Sequence, residues 1–381
     1  MSSVSVVGYR DLGKNVAQSL TYVAEGLNKR GRLHKVYPRG VIETSLDPER
    51  VETPLPFGRY GPSFLWLLSN SVYDFDYRSY SMRLVDYAAN RKLASDQSDI
   101  AYFDIPGFLQ SVKGASKTGK KVIIRGSTEL ANSAHRRIEG EYDRLGIGYS
   151  IPKTRRQIAQ RRQKSLEAAD QLIALSTFVR ESYIDAGISP EKISVIPNAI
   201  NINSFEAKSD YAYERFRVLF VGSINVRKGV HTLIDAWKLF DDEDAELVLC
   251  GSINEDLQPM IDTIGDSNVR LPGWVDPEPH YREASVFVLP SLSEGFAKVI
   301  LEAMSTGTPV IVSENSGGAD IIEDGNQGFV IPIRDPNAIA DKLTYFRDHP
   351  EEIERMGRNA RATAEKYDGD WFVDQILRLT E

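Results

Sequence analysis

Among its 381 residues this chain has one cysteine, five histidines and no apolar run that approaches the roughly 18 residues of a membrane-spanning helix. Cys250, set in the apolar run ELVLCGS, has no intrachain disulfide partner and reads as a small core residue rather than a nucleophile. His34, His135, His231, His280 and His349 keep no ligand spacing with one another or with Cys250, which argues against a zinc site. Basic residues are outnumbered: 46 Lys and Arg against 54 Asp and Glu give a net charge of −8, which argues against nucleic acid as a partner. No GxGxxG follows the first strand pattern of either half, so a nicotinamide-dependent dehydrogenase is not expected. The opening MSSVSVVGYRDLG has no basic segment ahead of an apolar core and no small-residue cleavage site, so the expected location is the cytoplasm.

What is present is an ordinary globular composition, 41% hydrophobic and 26% charged, with length enough for two substantial cores. Short β-branched runs alternate with longer amphipathic stretches. In the second half the runs are RVLFVGS (217–223), ELVLCGS (246–252), VRLPGW (269–274), SVFVLPS (285–291), TPVIVS (308–313) and GFVIP (328–332). In the first half they are SVSVVG (3–8), LHKVYPR (33–39), DIAYFD (99–104), KKVIIRG (120–126), QLIALS (171–176) and ISVIPN (193–198). Near-continuous apolar strands separated by helices imply parallel sheets covered on both faces, hence an α/β protein of two Rossmann-like, doubly wound domains. The expected division is 1–198 for the first domain, 199–215 for a polar linker, 216–365 for the second domain and 366–381 for a last helix. The stretch near 40–62 reads as a long loop. Open α/β sheets bind ligands beyond the carboxyl ends of their strands, so two such domains predict a cleft between them.

In SEGFAKVILEAMSTGTPVIVS (293–313), Glu294 and Glu302 stand eight positions apart. Phe296, Val299, Ile300, Ala303 and Met304 form the stripe of an amphipathic helix that is expected to begin beside Glu294. On such a helix the glutamates are roughly 12 Å apart along the axis. That exceeds the roughly 5 to 9.5 Å of a glycosidase carboxylate pair, so a shared acid/base site is disfavoured. Two readings stay level: contacts to two parts of one elongated ligand, or SLSE (291–294) as a capping box with Glu302 facing water. A second segment, FVGSINVRKG (220–229), runs a buried strand into Gly222 and Ser223 and then a turn bearing Arg227 and Lys228, which suits a diphosphate and equally a solvated turn.

Together these residues resemble the retaining glycosyltransferases of family four, which have the two-domain GT-B fold. The carriers are EAADQLIALSTFVRESYIDAGISPEKISVIPNAIN (167–201), FVGSINVRKGVHTLIDAW (220–237), LPGWVDPEPHYREASVFVLPSLSEGFAKVILEAMSTGTPVIVS (271–313) and SGGADIIEDGNQGFVIPIRD (316–335). The resemblance implies a nucleotide-sugar donor, with Glu294 at the sugar hydroxyls, Glu302 at the ribose and Trp274 and Val275 near the base. It also implies Gly222, Ser223 and the backbone of Gly295, Phe296 and Ala297 beside sugar and phosphate. Arg227 and Lys228 would hold the diphosphate and stand in for a metal, so that neither metal nor cofactor is required. Ser223 stands where many relatives have an Arg. On the acceptor side the family often has a His near the reacting sugar, whereas this chain reads RGSTELANSAH, leaving Arg125, Ser127, Thr128, Glu129 and His135 as candidates. Gly13 and Lys14 fall at the family's glycine-rich loop.

The implied activity is transfer of a hexose-type sugar, with retention, to a glycan, a lipid-linked saccharide or a small molecule. Another GT-B activity, phosphorylase or epimerase, and a catalytically silent nucleotide-sugar-binding subunit are the competing readings. DFD (74–76) and DDED (241–244) read as a loop and a solvated helix end rather than metal motifs. PKTRRQIAQRRQKS (152–165) carries six basic residues, which read as a solvated helix face or, if clustered, as a dock for anionic lipid at roughly 1 kcal/mol each at the cytoplasmic face of a membrane. In GDWFVDQILRLTE (369–381), Trp371, Phe372, Ile376 and Leu377 share one face, and the resemblance implies that this last helix crosses back to the first domain.

Overall fold

The computed structural model describes residues 2–13, 18–55, 77–211, 214–262, 264 and 268–381. Lys14, the DFD segment at 74–76 and the part of the expected loop from 56 to 62 lie outside them. The β-branched runs form two six-stranded parallel sheets. The first has the order Leu33–Tyr37, Val4–Val7, Ile100–Phe103, Lys121–Gly126, Gln171–Ala174, Ile193–Val195. The second has the order Val269–Gly273, Glu246–Cys250, Arg217–Val221, Val286–Leu289, Val310–Ser313, Gly328–Ile331. In the second, the first strand in the chain is central and the order reverses beside it, the switch point at which doubly wound sheets place their ligand crevice. A two-residue pair, Asp11–Leu12 with Gly40–Val41, lies outside both sheets.

Strand geometry sends neighbouring residues to opposite faces, and here both faces are buried. In the first sheet Val7, Phe103, Val122 and Ile124 pack on one side, and Val4, Val6, Tyr102 and Ile123 on the other. Cys250 is part of the second domain's core, and burial pushes its thiol up to about 11. Among the described residues no helix is long and apolar enough to cross a membrane.

The chain passes between the domains twice. Residues 196–216 lead from Val195 to Arg217, and 365–368 lead back from the helix Pro350–Ala364 to the helix Gly369–Arg378. The amide of Ile200 donates to the carbonyl of Tyr367 at 2.9 Å, joining the two crossings side by side. The stretch 199–211 is not a free tether, since Lys208 donates to the carbonyl of Ala284 in the second domain. The last helix lies on the first domain. Phe372, Val373 and Ile376 enter the core that holds Val4 and Leu20, while Trp371 and Leu377 are only partly buried at its flanks. Arg30 bonds Asp374 at 2.9 Å and Asp370 at 3.1 Å, and the Lys121 ammonium donates to the Leu379 carbonyl at 2.7 Å.

A second tie is electrostatic. Glu141, fully buried on the first domain's helix Ala131–Arg144, meets His231 of the second domain at 2.9 Å and Arg334, also of the second domain, while Arg144 of its own helix donates at 2.6 Å. Arg334 sits in the left-handed region at φ 61°, a conformation an L residue adopts only when its surroundings impose it. Burial works to raise the Glu141 pKa, but the hydrogen bonds from His231, Arg144 and Arg334 outweigh it and hold the carboxyl at about 2 against an ordinary 4.5. The folded-state value is the lower one, so the stabilisation is present in full above about pH 4.5 and is lost as the pH falls through about 2. The expected amount is roughly 3 kcal/mol at most, at about 1.4 kcal/mol per pKa unit. Thermal melts of wild type and Glu141→Gln between pH 2 and 7 check this: the gap between them should close toward the acid end, and equal stability at pH 7 would remove the tie.

Candidate functional site

The strand Arg217–Val221 ends at Gly222, and Asn225 then caps a single turn, Val226–Lys228, by accepting from the Lys228 amide at 2.9 Å. Gly229 closes that turn at φ 71° and opens the helix Val230–Phe240. A Cβ there would lie 1.9 Å from the Pro290 carbonyl oxygen, so both the turn's backbone and its approach to the neighbouring strand end require glycine. The turn thereby aims Arg227 and Lys228 at the loop that follows Val286–Leu289.

That loop carries Glu294. Its carboxylate pairs with the Lys228 ammonium at 2.6 Å and the Arg227 guanidinium at 2.7 Å, and Arg227 also donates to the Ser293 carbonyl at 2.9 Å. The Glu294 and Lys228 side chains are largely buried, with 15% and 11% exposure, and Arg227 is more open at 37%. Burial pushes Glu294 up, but Lys228 and Arg227 outweigh it and hold the carboxyl at about 2. In the free chain Glu294 is therefore a carboxylate, able only to accept.

The helix expected to begin beside Glu294 begins at Lys298 instead and runs to Ser305, with Ala297 before it and no side-chain cap. Phe296 is buried from the loop, not from a helical stripe. SLSE is accordingly not a capping box: Ser291 Oγ is buried without a partner among the described residues, and the Glu294 side chain is engaged by cations. Glu302 is on the helix and accepts from the Tyr281 hydroxyl at 2.9 Å; burial raises its pKa, opposed by Tyr281 and Lys298. Trp274 stands 90% exposed with Val275 half-buried behind it, and neither lines the cleft cavity. Gly222 is half-buried and Ser223 exposed on the rim of the turn.

Between the domains lies a cavity of about 450 Å³ bordered by Glu294, Phe296 and Lys298 on one side and Asp104, Arg125, Ser127 and Thr128 on the other. Arg125 reaches the Asp104 carboxylate at 3.4 Å and the side chain of Asn198, whose amide donates to the Phe296 carbonyl across the cleft at 2.9 Å. Gly295 touches the opposite wall: a Cβ on it would lie 2.0 Å from the Ser127 carbonyl oxygen. Burial first, then Arg125, pushes the Lys298 ammonium down to about 8, with Asp104 and Glu302 opposing. Of the acceptor-side candidates, Arg125, Ser127 and Thr128 face this cavity, while Glu129 and His135 border a second one that also takes in Thr128. Gly13 is elsewhere, its amide and carbonyl both engaged by the Thr21 hydroxyl, at 3.3 and 3.1 Å. Sequence reasoning passed over Asp104, Asn198 and Lys298, although the first two stand just beyond strand carboxyl ends and the third lies between the two singled-out glutamates.

The basic segment 152–165 does not present one cationic face. On the helix Lys153–Glu167, Arg161 turns inward to Asp86 and to the Gly107 carbonyl, Arg156 pairs with Glu139 at 3.5 Å, and Arg155 and Arg162 border the second cavity. Among the described residues no group of three or more His, Cys, Asp or Glu is arranged to hold a metal ion.

Residues 215–349 match a family model described as glycosyl transferases group 1, and 120–204 match one described as glycosyltransferase family 4. The D-inositol 3-phosphate glycosyltransferase of Streptomyces scabiei is 32% identical over 242 residues, 54% of this chain and 52% of that protein. CapM of Staphylococcus aureus, a capsular polysaccharide biosynthesis glycosyltransferase, is 29% identical over 229 residues, 55% of this chain and 59% of that one. The chain thus spans about half the length of the curated relatives it matches. Among solved structures, Anabaena HepE in complex with UDP superposes with TM-score 0.70 at 17% identity over 99% of both chains. Sucrose-phosphate synthase from Thermosynechococcus elongatus gives 0.70 at 18% identity over 100% of this chain and 98% of its own. With the two family models together covering more than half of the sequence, one in each domain, and the same two-domain fold along its length, this chain belongs to the group 1, family 4 glycosyltransferases of GT-B fold.

Proposed function

We propose that this chain moves a hexose-type sugar from a nucleotide-sugar to a hydroxyl of a glycan, lipid-linked saccharide or small molecule, with retention of configuration. The observation that carries the proposal is the Glu294 carboxylate held by Lys228 and Arg227 at the edge of the interdomain cavity. Two cations converging on one carboxylate at a strand's carboxyl end form a site where a diphosphate competes for the same charges. When the diphosphate takes the cations, the carboxylate is released to accept from sugar hydroxyls. Lys228 and Arg227 then offset the charge that develops as the anomeric carbon–oxygen bond to phosphate breaks, the role a metal serves elsewhere. The new bond forms on the same face, and the acceptor's proton passes to the departing phosphate. Glu302, Trp274 and Val275 are assigned to the nucleoside, and the Gly295–Ala297 backbone to sugar and phosphate. HepE, of like fold, is solved with UDP and with UDP-glucose, which supports a nucleotide-sugar here.

Thermal stabilisation by UDP-, GDP- and ADP-sugars, followed by nucleotide release with and without acceptor, tests the proposal. A shift with one base and acceptor-dependent release are expected; no shift with any nucleotide would sink the donor assignment, and a shift without turnover would favour a silent binding subunit. Lys228→Ala is expected to lower turnover about a hundredfold or more with modest change in nucleotide affinity. Glu302→Ala should instead weaken nucleotide binding about tenfold, about 1.4 kcal/mol, with turnover at saturation near wild type. Titration of nucleotide followed by saturation kinetics separates the two, and the reverse pattern would exchange their roles.

A further inference from the structure

The first domain holds a second cavity, of about 590 Å³, that shares Ile105 and Thr128 with the interdomain cavity and so adjoins it. Part of its wall is apolar, with Met82, Leu130, Ile158 and Ala159 in it. Into it projects Arg162, exposed to the cavity yet surrounded by protein, which depresses its pKa. A guanidinium stays charged regardless, so the cavity contains a standing positive charge. The preceding residue, Arg161, has the Asp86 carboxylate and a backbone carbonyl as partners, whereas the Arg162 guanidinium has no acidic partner among the described residues. Arg155 on the same helix borders the cavity likewise unpaired among the described residues, and His135 faces them from the helix Ala131–Arg144. Among the described residues the one carboxylate in the wall, Glu129, is buried; its Oε2 pairs with Arg137 at 3.4 Å, and its Oε1 has no partner.

Two guanidinium groups gathered at one cavity without a counter-ion repel each other, and a ligand that brings the missing negative charge relieves this. From these residues we infer that the cavity receives the acceptor and that the acceptor carries an acidic group, phosphate or carboxylate, bound by Arg162. The apolar part of the wall accommodates the uncharged part of the acceptor. The inference rests on the glycosyltransferase reading above for its view of what is bound, but the binding itself requires no nucleotide.

Calorimetric titration of the full chain without nucleotide tests it with two matched pairs: glucose 6-phosphate against glucose, and farnesyl phosphate against farnesol. The acidic member of at least one pair is expected to bind about tenfold or more tightly than its neutral partner, and which pair responds tells a soluble acceptor from a lipid-linked one. Arg162→Gln should erase that preference and Arg162→Lys should restore part of it. An unchanged melting temperature and unchanged UDP binding in both variants show that the fold and donor site are intact. Equal binding of acidic and neutral members by wild type, or a preference that survives Arg162→Gln, overturns the inference. Absence of UDP, GDP and ADP binding to wild type would instead strike the donor assignment alone, since the acid preference is read without nucleotide.

Discussion

Glu294→Gln is expected to cut nucleotide release by about a hundred- to a thousandfold while nucleotide binding stays level or tightens. The two effects separate because this carboxylate has two partners that a diphosphate also needs. In the free chain it neutralises Lys228 at 2.6 Å and Arg227 at 2.7 Å. An amide cannot, so both cations become more available to phosphate, while the negative charge that the proposed function gives to the sugar's hydroxyls is gone. The free variant should also lose about 1–3 kcal/mol of stability, because the largely buried ammonium of Lys228 is left without its counter-ion. Added nucleotide should return part of it. Saturation kinetics, UDP titration and denaturant midpoints with and without UDP give the three readouts. A UDP affinity that falls in step with turnover would refute the competition between carboxylate and diphosphate.

Gly295→Ala is expected to reduce turnover at least about a hundredfold with little change in the second domain's stability. The added methyl would lie 2.0 Å from the Ser127 carbonyl oxygen and 3.1 Å from Thr128 Cα, both backbone atoms of the opposite domain. Neither can move alone, so the domains must part by about an ångström at the point where their cleft walls meet. Misplacement on that scale costs about two decades of rate. UDP binding, which the proposal confines to the second domain, should change little, whereas small-angle scattering or domain-bridging distances should shift. Wild-type turnover in this variant would mean that the contact between Gly295 and Ser127 is not part of the working arrangement.

The strands were readable from the sequence because a parallel sheet buried on both faces leaves long apolar runs with little else like them. All twelve such runs are strands of the two sheets. The turn at 226–229 was readable for a similar reason, a strand end followed by two cations and a glycine. The start of the helix before Glu302 was not. Phe296 continues the apolar spacing of Ile300 and Met304, and periodicity alone cannot tell a helical turn from a loop residue that drops into the same core. SLSE failed as a cap because the tertiary ion pair with Lys228 and Arg227 claims the glutamate that local hydrogen bonding would have used. Asp104, Asn198 and Lys298 are far apart in sequence and meet only because the domains face each other, so no local pattern announces them. The basic segment misled through its regularity: Arg161 and Arg162 are adjacent, yet helix geometry turns one into an ion pair with Asp86 and the other into an open cavity.

The two crossings between the domains, bonded to each other where the Ile200 amide meets the Tyr367 carbonyl, have a mechanical consequence. A single crossing would be a string, leaving one domain free to swivel in any direction and to drift from its mate. Two crossings side by side behave as a strap hinge, which permits folding about one line and resists twist and sliding. With the chain's end anchored on the opposite domain by Phe372 and Ile376, opening the cleft requires neither crossing to unravel. Folding and unfolding about that line would then return Glu294 and Arg125 to the same mutual position.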